Sequence, residues 1–232
     1  MKTENNNTTI WNSDKTVEHY MDSPHLSGRE NDFMEAFKIA NVRKILDVGC
    51  GTGRTTAVLA DHGFDVIGVD YSSAMIEQAK KQYPKLSFAV MNAMALEYPQ
   101  NTFDAVLFSF NGIDYLYPEQ SREKALQEIH RVLKPGALFA YSSHNGWMIS
   151  VRKSRIREWI YNFIQGKAFA RYRYDYRPFG NLLTFFGSPS YHKKTLKRQG
   201  FEFVANYGGK KYRSVFFSTF LDPYIYYLFR KQ

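Results

Sequence analysis

Two kinds of apolar pattern alternate between residues 43 and 143. Short, nearly continuous apolar runs bounded by glycine or an acid read as buried strands: "RKILDVG", "FDVIGVD", "LSFAVMNA", "FDAVLFSF" and "PGALFAYSS". Between them "TTAVLADHG", "SSAMIEQAKKQY" and "PEQSREKALQEIHRVLK" predict helices, the last with a stripe through Ala125, Ile129, Val132 and Leu133. Gly63 is placed to end the first helix, Ser72 or Ser73 to cap the second, and Pro84 to stop it. "SYHKKTLKRQG" resumes a helix closed by Gly200, and "FEFVANYG" and "PYIYYLFRK" add two more strands. Unalternated strands separated by helices predict an α/β fold. It should be Rossmann-like and doubly wound, with a mostly parallel seven-stranded sheet and helices on both faces.

From 147 to 189 the alternation stops, which marks a lid insertion before the last strands. "WMISVRKSRIREWIYNFIQ" suits an amphipathic helix, with Val151, Ile156, Trp159, Ile160, Phe163 and Ile164 on one face and a basic opposite face. "GKAFARYRYDYRPFGNLLTFFGSP" reads as irregular or hairpin-like. Four regions result. They are a tail and covering helices over 1–40, a core over 41–146, the basic aromatic insertion over 147–189, and closing elements over 190–232.

Composition narrows the class. A chain of 232 residues suits one domain with an elaborated lid. No run approaches the roughly eighteen apolar residues of a membrane span. "MKTENNNTTIWNSDK" lacks the apolar core of a secretory signal, which predicts a polar, frayed tail and a cytoplasmic location. Cys50 is the single cysteine, and the six histidines show no ligand-like spacing, so neither a disulfide nor a metal is expected. Charge divides sharply. Residues 1–149 carry 14 Lys and Arg against 18 Asp and Glu, whereas residues 150–232 carry 17 against 4. The second half should therefore decide the partners.

The chemistry starts at "KILDVGCGTGRTT". Gly49, Gly51 and Gly53 follow a strand and precede a helix, where ligands of open parallel sheets bind and where free helical N–H groups point. The spacing G-x-G-x-G differs from the dinucleotide fingerprint, because Arg54 occupies the place of its third glycine, and no phosphate-binding G-K-[ST] is present. Asp70 ends the next strand, where a carboxylate can accept both hydroxyls of a ribose.

"ILDVGCGTGRTT", "VIGVDYSSAMIEQAKK", "FDAVLFSF" and "EIHRVLKPGALFAYSS" resemble the class I S-adenosylmethionine-dependent methyltransferases, small-molecule branch, over about residues 40–145 and the closing strands. Ala137 stands where that family's phrase has a second glycine. The resemblance implies S-adenosylmethionine as cofactor, with Asp47, Gly49, Cys50, Gly51 and Gly53 at its methionine moiety. Asp70 would hold the ribose, Tyr71 or Met75 would pack on the adenine, and Asn92, Ala93 and Met94 would meet the adenine edge. The family usually has an acid where this chain has Asn92, whose amide oxygen can still accept from the adenine amine. Ser109 completes the implied cofactor set.

Methyl transfer from a sulfonium is an in-line displacement on an activated carbon, so the protein must align the acceptor, exclude water and take a proton from a hydroxyl or amine. His144 and Asp114, each after a strand, are the candidate bases. His144 can equally bond loop backbone, and Asp114 can equally cap the helix near Pro118. Tyr20, Arg29, Asn111, Trp147, Arg173, Tyr174 and Arg177 are candidate acceptor contacts. Arg171, Arg173 and Arg177 alternate with tyrosines, which fits a small acceptor with an anionic or sugar-like portion. RNA and peripheral contact with an anionic membrane are the other partners such a stretch suits, and a lid that only shields the cofactor is the plain alternative. A non-catalytic cofactor sensor is the alternative of a different class, and the oligomeric state is left open.

Overall fold

The computed structural model describes residues 6–21, 26, 29–147, 153–207 and 220–232. Helices α1 (Asn6–Trp11), α2 (Asp14–Met21) and α3 (Glu30–Ile39) precede the sheet. Strands β1 (Lys44–Val48), β2 (Asp65–Asp70), β3 (Ser87–Val90), β4 (Phe103–Phe108) and β5 (Leu133–His144) then alternate with α4 (Arg54–Asp61), α5 (Ser73–Gln82) and α6 (Glu119–Val132). A 3₁₀ turn, Gly112–Tyr115, follows β4. Ser72 caps α5 by accepting from the Met75 N–H at 3.2 Å, and Gly63, at φ +88°, closes α4.

After β5 come α7 (Lys153–Ile164), the antiparallel pair β6 (Tyr172–Arg177) and β7 (Gly180–Phe185), α8 (Pro189–Arg198), β8 (Phe201–Tyr207) and β9 (Tyr224–Lys231). The main sheet runs β3-β2-β1-β4-β5-β9-β8, parallel except where β9 pairs with β5 and β8. Strand order reverses between β1 and β4, so a crevice opens there beyond the carboxyl ends of the strands. One sheet face is sealed by Phe33 and Phe37 of α3, the other by Leu126 and Ile129 of α6 packed with Phe103 and Phe139, all buried.

Two parts depart from the sequence pattern. The polar stretch from Asn6 onward is folded rather than frayed. Buried Asn7 donates to the carbonyls of Tyr115 (3.1 Å) and Leu183 (2.9 Å) and accepts from the Leu183 N–H (2.9 Å). An amide that satisfies three backbone groups gives a polar helix its tertiary anchor. The arginine-tyrosine stretch forms the β6–β7 hairpin, whose Leu182 and Phe185 are fully buried and whose second strand packs on α1 and the 3₁₀ turn. Val151 lies outside the described residues.

Candidate functional site

A cavity of about 460 Å³ lies beyond the ends of β1 to β4. Its floor takes Gly49, Cys50, Gly51 and Thr52 from the first turn, Asp70, Tyr71, Ser72 and Met75 from the second, and Asn92, Ala93 and Met94 from the third. Phe108, Ser109 and Phe110 close the side at β4, and Asn7, Thr8, Trp11, His19 and Tyr20 roof it. The roof is tied to the floor. The Thr52 hydroxyl donates to the Tyr20 carbonyl at 3.0 Å, and the Ser72 hydroxyl lies 3.1 Å from the Trp11 carbonyl and 2.9 Å from Asn12 Oδ1.

Each glycine of the turn answers a different demand. A Cβ at Gly49 would stand 2.7 Å from the Phe108 ring, and one at Gly53 2.8 Å from the Phe88 ring. Gly51, at φ +56°, would point a Cβ into space clear of protein atoms. Gly49 and Gly53 therefore let aromatic rings pack beneath the turn, and Gly51 leaves bare backbone toward the cavity. Gly53 itself is not part of the cavity wall.

Asp47 is also behind that wall. It is fully buried, and its Oδ2 accepts from the hydroxyls of Thr55 (2.5 Å) and Thr56 (2.7 Å), which fixes the start of α4 under the turn. Its place in the sequence suggested ligand contact, but its role here is to shape the loop. Burial pushes its carboxyl up to about 6, although the two hydroxyls act in the lowering direction. A raised acid holds its proton in the folded state, so its contribution to stability falls as pH rises from 3.8 to about 6. Asp47→Asn should abolish that slope, read from urea unfolding across this range; a slope equal to wild type would refute the assignment.

Asp70 stands at the cavity edge with Oδ2 accepting from the Gly51 N–H and Oδ1 from the Ser72 N–H, both at 2.9 Å. Burial raises its carboxyl above the usual range despite these donors. It thus locks the first and second turns together and retains lone pairs for a ligand. Asn92 Oδ1 accepts from the Met94 N–H at 2.9 Å, so the third turn is braced by the same side chain that faces the cavity. Met75 is buried in the wall and Tyr71 is 56% exposed at its rim.

Among the cavity residues not singled out from the sequence as site residues are Arg54, Glu30's partner in the wall, Phe110 and Tyr115 beside β4, and His19 and Trp11 of the roof. Arg54 donates to both oxygens of buried Glu30 (2.7 and 2.9 Å), and Ser109 donates to Glu30 Oε1. The signal for Arg54 was its replacement of a fingerprint glycine. Helices covering the site were expected within residues 1–40, but no local signal marked His19 or Trp11, because folding alone brings α1 and α2 over the strand ends. Tyr20 is in the roof as anticipated; burial raises its phenol to about 12, and the buried Tyr115 phenol is raised as well. Both keep their protons near neutral pH.

His144 and Asp114 lie outside the cavity wall. Asp114, in the 3₁₀ turn, does not cap α6, which starts after Pro118. It accepts from the Ser143 hydroxyl (2.9 Å), the His144 N–H (2.6 Å) and His144 Nδ1 (2.9 Å), with both side chains fully buried. Burial lowers the His144 pKa, but the carboxylates of Asp114 and Asp175 outweigh it and the net shift is upward. Arg177 Nη2 lies 3.1 Å from His144 Nε2 and 3.3 Å from the Tyr115 hydroxyl, and its Nε donates to Asp175 at 2.7 Å. This is a buried polar cluster that supports Tyr115 from behind.

The other anticipated acceptor contacts also stand away from the cavity wall. Arg29 pairs with Asp32 at 3.4 Å, and Asn111, at φ +60°, donates its N–H to Ser142 Oγ at 2.9 Å while its carbonyl accepts from the Asp114 N–H at 3.0 Å. Trp147 stacks on Phe220 at 5.9 Å. The guanidinium of Arg173 lies 4.2 Å from the Phe186 ring centroid, and Tyr174 meets Tyr161 edge-on. Arg171 pairs with Glu119 and stacks over Tyr191. Tyr174 thus packs toward α7 and Arg171 toward α8. Among the described residues, no group of three or more His, Cys, Asp and Glu is set to hold a metal, and no helix is long and apolar enough to cross a membrane.

Known proteins complete the picture. Residues 45–136 match a family model described as a methyltransferase domain. The demethylmenaquinone methyltransferase of Renibacterium salmoninarum is 39% identical over 94 residues, covering 40% of this chain and 38% of that protein. An O-methyltransferase of Aspergillus sclerotiorum is 37% identical over 103 residues, covering 41% of this chain and 38% of that one. The chain thus matches well under half the length of these relatives. In fold, the CcbJ methyltransferase of Streptomyces caelestis superposes with a TM-score of 0.69 at 17% identity, covering 96% of this chain and 98% of that one. The cavity suits the S-adenosylmethionine that the sequence resemblance implies, with bare backbone at Gly51, a carboxylate at Asp70 and an apolar bed at Met75 and Met91. Residues 45–136 are a class I, S-adenosylmethionine-dependent methyltransferase domain.

Proposed function

We propose that the chain methylates a small, flat, aromatic acceptor bearing a hydroxyl or amine. The observation that carries this is the composition of the cavity away from the glycine turn. Trp11, His19, Tyr20, Phe110 and Tyr115 wall it, with Trp11 and Tyr115 edge-on at 5.0 Å and Tyr20 and Phe110 at 5.7 Å. Aromatic walls favour a planar ring through stacking and edge contacts. The cationic wall residue, Arg54, is held by Glu30, and the insertion's arginines lie elsewhere, so an anionic or sugar-like acceptor has less support. The Renibacterium relative, named for a quinone, agrees with the aromatic reading.

The cofactor, when bound, supplies a methyl group on a sulfonium, an already activated carbon. Gly51 and Asp70 would hold it, with Met75 and Asn92 at its base. The roof helices exclude water and fix the acceptor ring, and the protonated phenols of Tyr20 and Tyr115 can donate hydrogen bonds to it. His19 takes the acceptor's proton. It is exposed at the cavity, and its ring nitrogens make no hydrogen bond among the described residues.

A panel of hydroxylated quinones, phenols, sugar phosphates and RNA should yield S-adenosylhomocysteine with the planar aromatic members. His19→Gln should cut that turnover by about 100-fold with by-product affinity unchanged. Turnover confined to sugar phosphates or RNA would refute the acceptor class, and undiminished turnover in the variant would remove His19.

A further inference from the structure

We propose that the outward face of α7 docks on an anionic lipid membrane surface. At one residue per 100°, Ile156, Trp159, Ile160, Phe163 and Ile164 fall within an arc of about 140°, with Glu158 and Asn162 opposite. A surface helix ordinarily turns such an arc toward the core. Here the helix is inverted. Asn162 is 2% exposed, donating through Nδ2 to the Tyr174 carbonyl (2.8 Å) and accepting from the Tyr174 N–H (2.7 Å). Two backbone groups of β6 thus hold the polar side inward.

The apolar side is left to solvent. Exposure is 48% at Trp159 and Ile160, 60% at Phe163 and 72% at Ile164, and Phe169 just beyond the helix reaches 89%. Trp159 stacks on Phe163 at 5.4 Å, so the patch is a continuous surface and not scattered residues. Among the described residues no core cluster includes this face, and the amide anchors of Asn162 seat the helix.

Charge selects the occupant. The sequence around the patch is basic: residues 150–173 hold seven Lys and Arg and one acid, Glu158. Exposed Trp and Phe beside an exposed Arg157 and Tyr161 are the makeup of a helix lying in a lipid headgroup layer, where basic residues meet anionic lipid. A second copy fits poorly, since a two-fold contact would bring two strongly basic faces together. RNA fits poorly too, since an apolar arc offers nothing to phosphates. The inference stands without the acceptor assignment, although it would suit an acceptor dissolved in lipid: α7 packs on β6, and β7 packs on α1 and the 3₁₀ turn, which wall the cavity.

The test is co-sedimentation of the full chain with vesicles of phosphatidylcholine alone and of phosphatidylcholine mixed equally with phosphatidylglycerol. Binding should require the anionic lipid and weaken with added salt. Ile160→Glu and Phe163→Glu, both at exposed positions, should lower vesicle affinity at least about tenfold while S-adenosylhomocysteine binding and the melting temperature hold. Three results would overturn the proposal: no sedimentation with anionic vesicles, equal sedimentation by the variants, or a lipid-free dimer that Phe163→Glu dissociates.

Discussion

Asp70→Ala is expected to weaken S-adenosylhomocysteine binding by about 100-fold or more, measured by calorimetry, with the circular dichroism spectrum unchanged. The carboxylate has two tasks at one place. It accepts from the N–H groups of Gly51 and Ser72, which sets the spacing of two turns, and its remaining lone pairs face the cavity. Removing it takes away charge-assisted hydrogen bonds to a ribose and also lets the bare edge at Gly51 shift. Each such bond is worth about 1.5–3 kcal/mol, so the loss of two spans about two to four decades of affinity. Asp70→Asn should fall between, because one amide oxygen remains while the NH₂ group opposes a backbone donor. An Asp70→Ala affinity within about threefold of wild type would sink the cofactor assignment.

Asp114→Ala should destabilise the fold by about 3–5 kcal/mol in urea titration, because it strands a buried charge network. Three donors converge on this carboxylate: the Ser143 hydroxyl, the His144 backbone N–H and the His144 ring. The cluster continues through Ser143 to His192, whose ring also meets Tyr141 and Arg122. The pH dependence has a definite sign. The raised pKa of His144 contributes stability in full below 6.5, and that contribution is lost as pH rises through the raised folded value. The alkaline loss should shrink in Asp114→Ala, where Asp175 is left as the carboxylate holding the ring. His192, whose pKa burial and Arg122 hold well below 6.5, has the opposite slope on the acid side, and that slope should persist. If Asp114→Ala instead kept its stability and lost turnover, a direct role in chemistry would be restored to Asp114.

The reading of His144 and Asp114 as bases shows where a linear pattern stops short. Asp114 follows β4 and His144 ends β5 at the carboxyl edge of the sheet, which is where catalytic groups of such folds reside. Whether a side chain at that edge faces the ligand or the protein depends on what packs above it. Here the β6–β7 hairpin brings Arg177 and Asp175 onto His144 and closes the cluster off from the cavity. Conversely, His19 and Trp11 sit in a polar N-terminal stretch with weak apolar periodicity, and they reach the cavity because Asn7 anchors α1 to β7 and the 3₁₀ turn.

The sequence by itself determined the layered sheet, the glycine turn and the acid at the end of β2, because these rest on local periodicity and on backbone geometry that few residue types allow. The strand ends that floor the cavity therefore came with their residue numbers. Only the tertiary structure decided the roof of the cavity, the burial of His144 and Asp114, and the outward turn of α7. These depend on contacts between segments more than a hundred residues apart, such as Asn7 with Leu183, or on which of two faces a neighbour's backbone claims, as Tyr174 claims Asn162. A helical pattern reveals that a face is apolar. It takes the packing partner to say which way that face looks.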